Sequence, residues 1–417
     1  MRRTSRYPQV TPISLIRVRK EPVGGGFVLA RFHNLCNLWI LTLLLATGSF
    51  SQTQTLPTSK DYFKRGVARQ QGFDLDGAIA DYTKAIALDP KLTEAFNNRG
   101  TARMQKGDVN AAIADYDEAI ALNPKYANAF NNRGLALKRK GDLDGAIADY
   151  SRAVALNPDY AEAFNNRGAA RGQKGELDSA VADYSQAITL NPSYAKAFYN
   201  RGVVRRRKGD LDGAIADYTT AITLNPDEAE SYYDRGKSLV DKDNLDGGIA
   251  DFTRALTLNP RLAAALNSRG LAHFLKEELD AAIADYGRAL VLDPNSPETL
   301  VYRGIARNQK GDLDGAIADY DEAIALNPNL PGAFADRGIS RYAKSDLDGA
   351  VEDYTKAIAL DPKLALAYAQ RGLVRLRQGK DEAAEPDLKK AVELNSALKE
   401  GIEEEVRRIK RQRQAQP

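Results

Sequence analysis

One cysteine, Cys36, and two histidines, His33 and His273, are spread over 417 residues. The scarcity excludes an internal disulfide and any Cys/His cluster of zinc-ligand spacing. Beyond residue 58 there is no thiol at all and His273 is the single imidazole, which the sequence reads as a packed or paired side chain. Neither a Gly-rich phosphate loop nor a Gly-x-Ser-x-Gly elbow is present. The Gly-Asp-Leu-Asp-Gly runs at 141–145 and 311–315 lack the remaining calcium ligands at their required spacing. No catalytic residue, metal or cofactor follows from this composition, and the chain is read as a non-enzyme.

An excess of one charge is also missing. Lys and Arg number 59 against 56 Asp and Glu, for a net charge of +3. Residues 1–58 hold seven basic side chains against Glu21 alone, a local +6, so the rest of the chain stands at −3. A slightly acidic body excludes the basic face through which nucleic acids are held by counterion release. Long apolar runs are absent apart from Leu38 to Ala46, which is about half of the roughly 20 residues a spanning helix needs. This run follows a basic stretch and precedes Thr47, Gly48 and Ser49, the layout of a secretory signal. Residues 1–58 are therefore read as a leader cleaved after Gly48 or Ser51, or retained as a signal-anchor that would be the chain's one membrane contact. Either way the remainder is expected outside the cytoplasmic membrane, the alternative being an unprocessed tail on a cytosolic protein.

What the chain has in abundance is repetition. Arg-Gly recurs ten times at a step of 34 residues, from Arg65-Gly66 to Arg371-Gly372, and proline keeps the same register from Pro90 to Pro362. Ten units without an insertion cover residues 59–398. Such a period marks supersecondary units that bury their apolar faces only against their neighbours. In the unit 93–126, Ala95, Phe96, Gly100 and Ala102 share one side of a first helix over Glu94 to Lys106, ended by Gly107-Asp108. Ala112, Ile113, Tyr116, Ala119, Ile120 and Leu122 form the stripe of a second helix that Asn123-Pro124 stops. Asn110, where other repeats place Asp, is expected to cap that second helix.

The pattern resembles the tetratricopeptide repeat. Counting each unit from its first residue, position 4 is aromatic in eight repeats (Phe96 and Phe130 among them), position 8 is Gly, and position 24 is Tyr in eight. The resemblance implies an all-α solenoid of helix-turn-helix hairpins, wound as a right-handed superhelix, that binds a protein or an unstructured peptide segment in its concave groove. Repeat ten departs from the pattern with Leu388, Pro386 and Ser396, and is expected to be irregular. Residues 399–417, with Ile402, Val406 and Ile409 among charges, read as a capping helix and basic tail.

Position 7, usually leucine in that family, is arginine in all ten repeats, and position 23 is always aspartate. The pairs Arg99 with Asp115, Arg133 with Asp149 and Arg167 with Asp183 are read as a structural charge ladder, joined within or between hairpins. Positions 2, 5, 6, 9, 12 and 13 face the concave side in the resembled family. There the repeats cease to be alike. Asn98, Asn132, Asn166 and Asn200 form an asparagine column beside Lys138, Arg139, Arg206 and Arg207, whereas later repeats offer Phe274, Leu275, Val301, Tyr302, Tyr342 and Leu376. The column resembles one in the repeat superhelix of the O-linked N-acetylglucosamine transferases, which implies amides free to pair with the backbone of a bound segment. Self-association through Tyr62 and Phe63 of the first repeat, and RNA binding by a helical-repeat code, are the alternatives.

Overall fold

The computed structural model describes residues 56–414. The leader expected at 1–58, including its apolar run, falls almost wholly outside them. The described chain is a succession of antiparallel helix pairs, beginning with Ser59–Gln71 and Leu75–Leu88 and ending with Ala365–Arg377 and Asp381–Leu394. A 3-10 turn, Ser396–Leu398, and a final helix, Lys399–Gln414, complete it. Ten hairpins therefore stack as an all-α solenoid, one for each 34-residue period.

The turn inside each hairpin is set by backbone handedness. Position 15 takes a positive φ in every repeat, and in six of them it is Gly, as at Gly107 (φ 96°) and Gly141 (φ 92°). Phe73, Asp243, Glu277 and Ser345 adopt the same conformation without that freedom. The second helix then starts two residues later, and its cap is not where the sequence pattern put it. The side chain that closes the N-terminus belongs to position 16: Asp142 accepts from the Gly145 amide, and Asp74, Asp210, Asn244, Asp312 and Asp346 do the same in their repeats. Asn110 at position 18 lies two residues too far in, and its helix begins at Val109 without a side-chain cap. The bond requires Gly at position 19, because a Cβ at Gly145 would stand 2.5 Å from Asp142 Oδ2. In repeat two, where Asp108 faces Ala111, the cap bond is absent; repeats four, seven and ten, with Ser179, Ala281 and Ala383 there, carry Glu176, Glu278 and Lys380 at position 16 and lack it as well.

The core is small against large. The position 24 ring is enclosed by the position 20 alanine of its own hairpin and the position 10 residue of the next, so that Tyr150 sits fully buried between Ala146 and Ala170. Desolvation pushes the phenols of Tyr82 and Tyr116 up to about 12. Repeat ten is more regular than its sequence suggests. Asp381–Leu394 runs unbroken through Pro386, close enough to the helix start that the missing N–H and the ring disturb only its first turns. Lys399–Gln414 covers the open end by placing Ile402 against Ala369 and Ala391, and Ile409 against Leu376 and Ala384.

Candidate functional site

The position 7 arginines and position 23 aspartates meet in all ten repeats, within the hairpin rather than between hairpins. Arg133 Nε and Nη2 donate to the two carboxylate oxygens of Asp149, both at 2.7 Å. Arg99 with Asp115 and Arg167 with Asp183 pair through the same two nitrogens. The aspartates are buried and the arginines mostly covered, so these are charge-assisted bonds away from bulk water. Where position 11 is also arginine it reaches the same carboxylate, as Arg103 does to Asp115 at 2.6 Å and Arg171 to Asp183 at 2.7 Å. His273 occupies that position in repeat seven and bonds to Glu278 at 2.6 Å, with Nε2 4.0 Å from Asp285.

The ladder also joins neighbouring repeats. The third guanidinium nitrogen, Nη1, reaches back to position 25 of the preceding hairpin: Arg99 to Thr83, Arg133 to Asp117, Arg167 to Ser151, Arg201 to Ser185. Gly287 offers no such acceptor, and Arg303 makes only its two bonds to Asp319. Each arginine with an aromatic at position 4 lies over that ring, for example Arg133 over Phe130 at 5.6 Å. A second line of charges runs along the hairpin turns, where Lys106, Lys174 and Lys208 at position 14 bond to Asp76, Asp144 and Asp178 of the repeat before. The position 18 aspartates expected as caps serve these bonds instead.

The groove side of the first helices differs from its sequence reading in one important respect. The asparagines of position 6 are not free. Asn132 Nδ2 donates to Asn97 Oδ1 at 2.9 Å, Asn166 to Asn131 at 3.0 Å and Asn200 to Asn165 at 2.9 Å, while Asn98 accepts from Asn97 at 3.1 Å. Adjacent first helices are close enough for a position 6 amide to reach the position 5 amide one repeat back. The partners Asn97, Asn131 and Asn165 are buried, and the column itself is half-buried. The motif continues with other chemistry in repeat six, where Tyr199 donates to Asp234 at 2.8 Å.

The basic residues beside the column are largely engaged as well. Arg139 donates to the Met104 carbonyl at 3.0 Å and Arg207 to that of Gly172 at 2.7 Å, each closing the C-terminal turn of the preceding first helix. Arg206 pairs with Asp241 at 2.7 Å. Lys138 is the exception: burial first, and then the nearby Lys196 charge, lower its pKa. In the apolar half, Phe274 and Tyr302 pack onto the Tyr286 cluster, Val301 onto Leu290 and Leu300, and Tyr342 lies beneath Arg377 at 5.3 Å. Leu275 is 49% exposed, and it is joined by Ile339 at 41% and Leu366 at 51%, two groove positions the residue-by-residue reading did not single out.

Position 6 of repeat nine is Asp336. Among the described residues its carboxylate has no hydrogen-bond or ion-pair partner, and only its backbone carbonyl is used, by Ser340. Desolvation raises its pKa to about 6. The phenols of Tyr320 and Tyr354 face it, and the column neighbours Tyr302 and Gln370 carry no charge at neutral pH. A raised carboxyl pKa means the folded state holds a proton that the unfolded state releases, so the penalty is present above about pH 6 and relieved as pH falls through 6 toward the unfolded value.

The end surfaces bear on self-association. Tyr62 lies between Arg65 and Lys84, at 5.0 and 5.5 Å, Phe63 packs against Tyr82, and both rings keep part of their surface in water. Lys389 stands at position 25 of repeat ten, where eight of the other nine repeats offer a hydroxyl or carboxylate, and Lys399–Gln414 covers that end.

Among the described residues no His, Cys, Asp or Glu cluster is arranged to hold a metal ion, and no helix is long and apolar enough to cross a membrane. A model described as TPR repeat matches residues 67–107, 100–141, 137–175, 171–207, 204–243, 304–345 and 338–379. Two models described as tetratricopeptide repeat match 233–297 and 365–398. A comparison with the sequences of curated proteins finds no match. Among solved structures, MamA is 28% identical over 41% of this chain and 94% of its own, with a TM-score of 0.37. YrrB, described as a TPR protein with an unusual peptide-binding site, is 23% identical over 47% of this chain and 97% of its own, with a TM-score of 0.41. Yeast Tom70 is 15% identical over 85% of this chain and 96% of its own, also at 0.41.

Proposed function

We propose, from the premise that this chain belongs to the tetratricopeptide repeat family, that it is a non-catalytic scaffold which holds an extended segment of a partner protein along the concave side of its first helices. The observation that carries this reading is the contrast between the faces of the array. Positions that make the hairpin and the ladders repeat almost without change, whereas groove positions pass from amides to exposed aliphatics. Leu275, Ile339 and Leu366 are large apolar side chains left half in water on that side, where a bound segment would cover them. In the amide half, a peptide backbone can exchange places with the Asn-to-Asn bonds at little net loss, since an amide donates and accepts in the same geometry.

The test uses peptides selected on the full chain from a random twelve-residue library. Changing Asn98, Asn132, Asn166 and Asn200 together to alanine is expected to weaken their binding by tenfold or more, a loss of about 1.4 kcal/mol. It should also lower stability by about 1 kcal/mol for each of the three inter-repeat bonds removed, which corrects the expectation of amides free on an empty groove. Selected peptides that protect the second helices, and not the first, from hydrogen exchange would contradict the groove as the binding face.

The proposal extends to location. The basic stretch and short apolar run of residues 1–58 support export of the repeats. Intact mass of the native protein checks this: a species beginning at Ser49 or Gln52 and recovered outside the cytoplasmic membrane is expected. A soluble cytosolic species still starting at Met1 contradicts it.

A further inference from the structure

We infer that Asp336 is the receptor for a cationic side chain, lysine or arginine, of the segment bound in the groove. The inference rests on the reading of the groove as a peptide site and deepens it by naming the chemistry selected. Along the position 6 column the array has two ways of satisfying a polar side chain between adjacent first helices. Asparagines bond to asparagines one repeat back, and Asp234 accepts from Tyr199. Asp336 has neither, because the position 5 residue one repeat back is Val301, which offers no donor. A half-buried carboxylate left without a donor costs stability, and replacement by asparagine would remove the cost. A group of this kind is explained when its partner arrives with a ligand.

The surroundings say what that ligand carries. Ile339 lies one turn along the same helix and Leu366 starts the next first helix, both exposed. A bound segment would therefore set apolar side chains on these two and an ammonium or guanidinium on Asp336, whose ionised form the incoming cation favours. The long aliphatic stems of lysine and arginine suit a charge reached across apolar surface.

The experiment repeats the library selection on the wild-type chain and on Asp336→Asn. Lysine or arginine should be enriched at one fixed position of the wild-type binders, next to apolar residues, and that enrichment should vanish with the variant while apolar positions persist. For one selected peptide, acetylation of the lysine should cost about tenfold in affinity for the wild type and nothing for Asp336→Asn. In the unliganded state the variant should melt higher than wild type at pH 7.5 and level with it at pH 4, which reports on the uncompensated charge independently of binding. Equal basic enrichment with both chains, or a variant no more stable at pH 7.5, overturns the assignment of Asp336 and leaves the groove reading intact. Failure to select any groove-binding peptide overturns both.

Discussion

Arg133→Ala and Asp149→Ala should each destabilise the array by about 2 to 4 kcal/mol, and the double variant should lose less than the sum. Asp149 is 6% exposed, so losing Arg133 strands a buried anion. The magnitude is set below the upper range for buried pairs because the Arg133 side chain keeps 24% of its surface in water. Loss of Asp149 leaves Arg133 with one contact to Asp117 across the repeat boundary, at 2.6 Å, and with the Phe130 ring. The Asp149 bonds raise the Arg133 pKa, in keeping with a guanidinium that is better solvated by its partner than by the surrounding protein. Urea unfolding of the three variants checks the cycle, with hydrogen exchange of Leu143–Leu156 localising the loss, since a long array need not unfold in one step. Additive losses would contradict a coupled pair.

Gly134→Ala carries the second large effect, and its sign is decided by two opposing magnitudes. Alanine gains about 1 kcal/mol of helix propensity over glycine. Against that gain, a Cβ at Gly134 would stand 2.7 Å from Tyr150 Cε1 and 3.0 Å from Cδ1. The ring cannot retreat, because Tyr150 is fully buried against Ala146, Ala170 and Ile147. Overpacking of a closed core costs about 1 to 3 kcal/mol, and here both helices of the hairpin must part, so a net loss of about 2 kcal/mol is expected. Combining Gly134→Ala with Tyr150→Ala should cost less than the two apart, because the small ring pocket then admits the methyl group. A melting temperature unchanged by Gly134→Ala would show that the hairpin yields at no cost.

The charge ladder illustrates how far residues alone could be read. Ten arginines matched to ten aspartates implied pairing from number and register. That Arg133 reaches Asp149 within its own hairpin and Asp117 in the previous one depends on side-chain reach between packed helices. The groove was less legible. Asn98, Asn132, Asn166 and Asn200 read as a column of free amides, and the residue beside each of them, position 5, carried the signal that they are not: Asn97, Asn131 and Asn165 repeat in the same register. Asp336 had no signal of its own, since an aspartate at position 6 also occurs at Asp234, where a tyrosine satisfies it.

By itself the sequence determined the unit, the number of units and the succession of helices, because a period of 34 with glycine and proline at fixed places constrains backbone conformation locally, residue by residue. It also determined that catalysis by a thiol or a metal cluster of cysteine and histidine has no residues to run on beyond residue 58. The tertiary structure alone decided which polar groups are spent on holding the array together and which are left over. Hydrogen-bond satisfaction is a property of pairs brought to within about 3 Å, and partners one repeat apart are 35 residues apart in the chain. The same asparagine, arginine or aspartate is therefore structural at one rung and available for a ligand at another, and only the packed neighbour one repeat away distinguishes them.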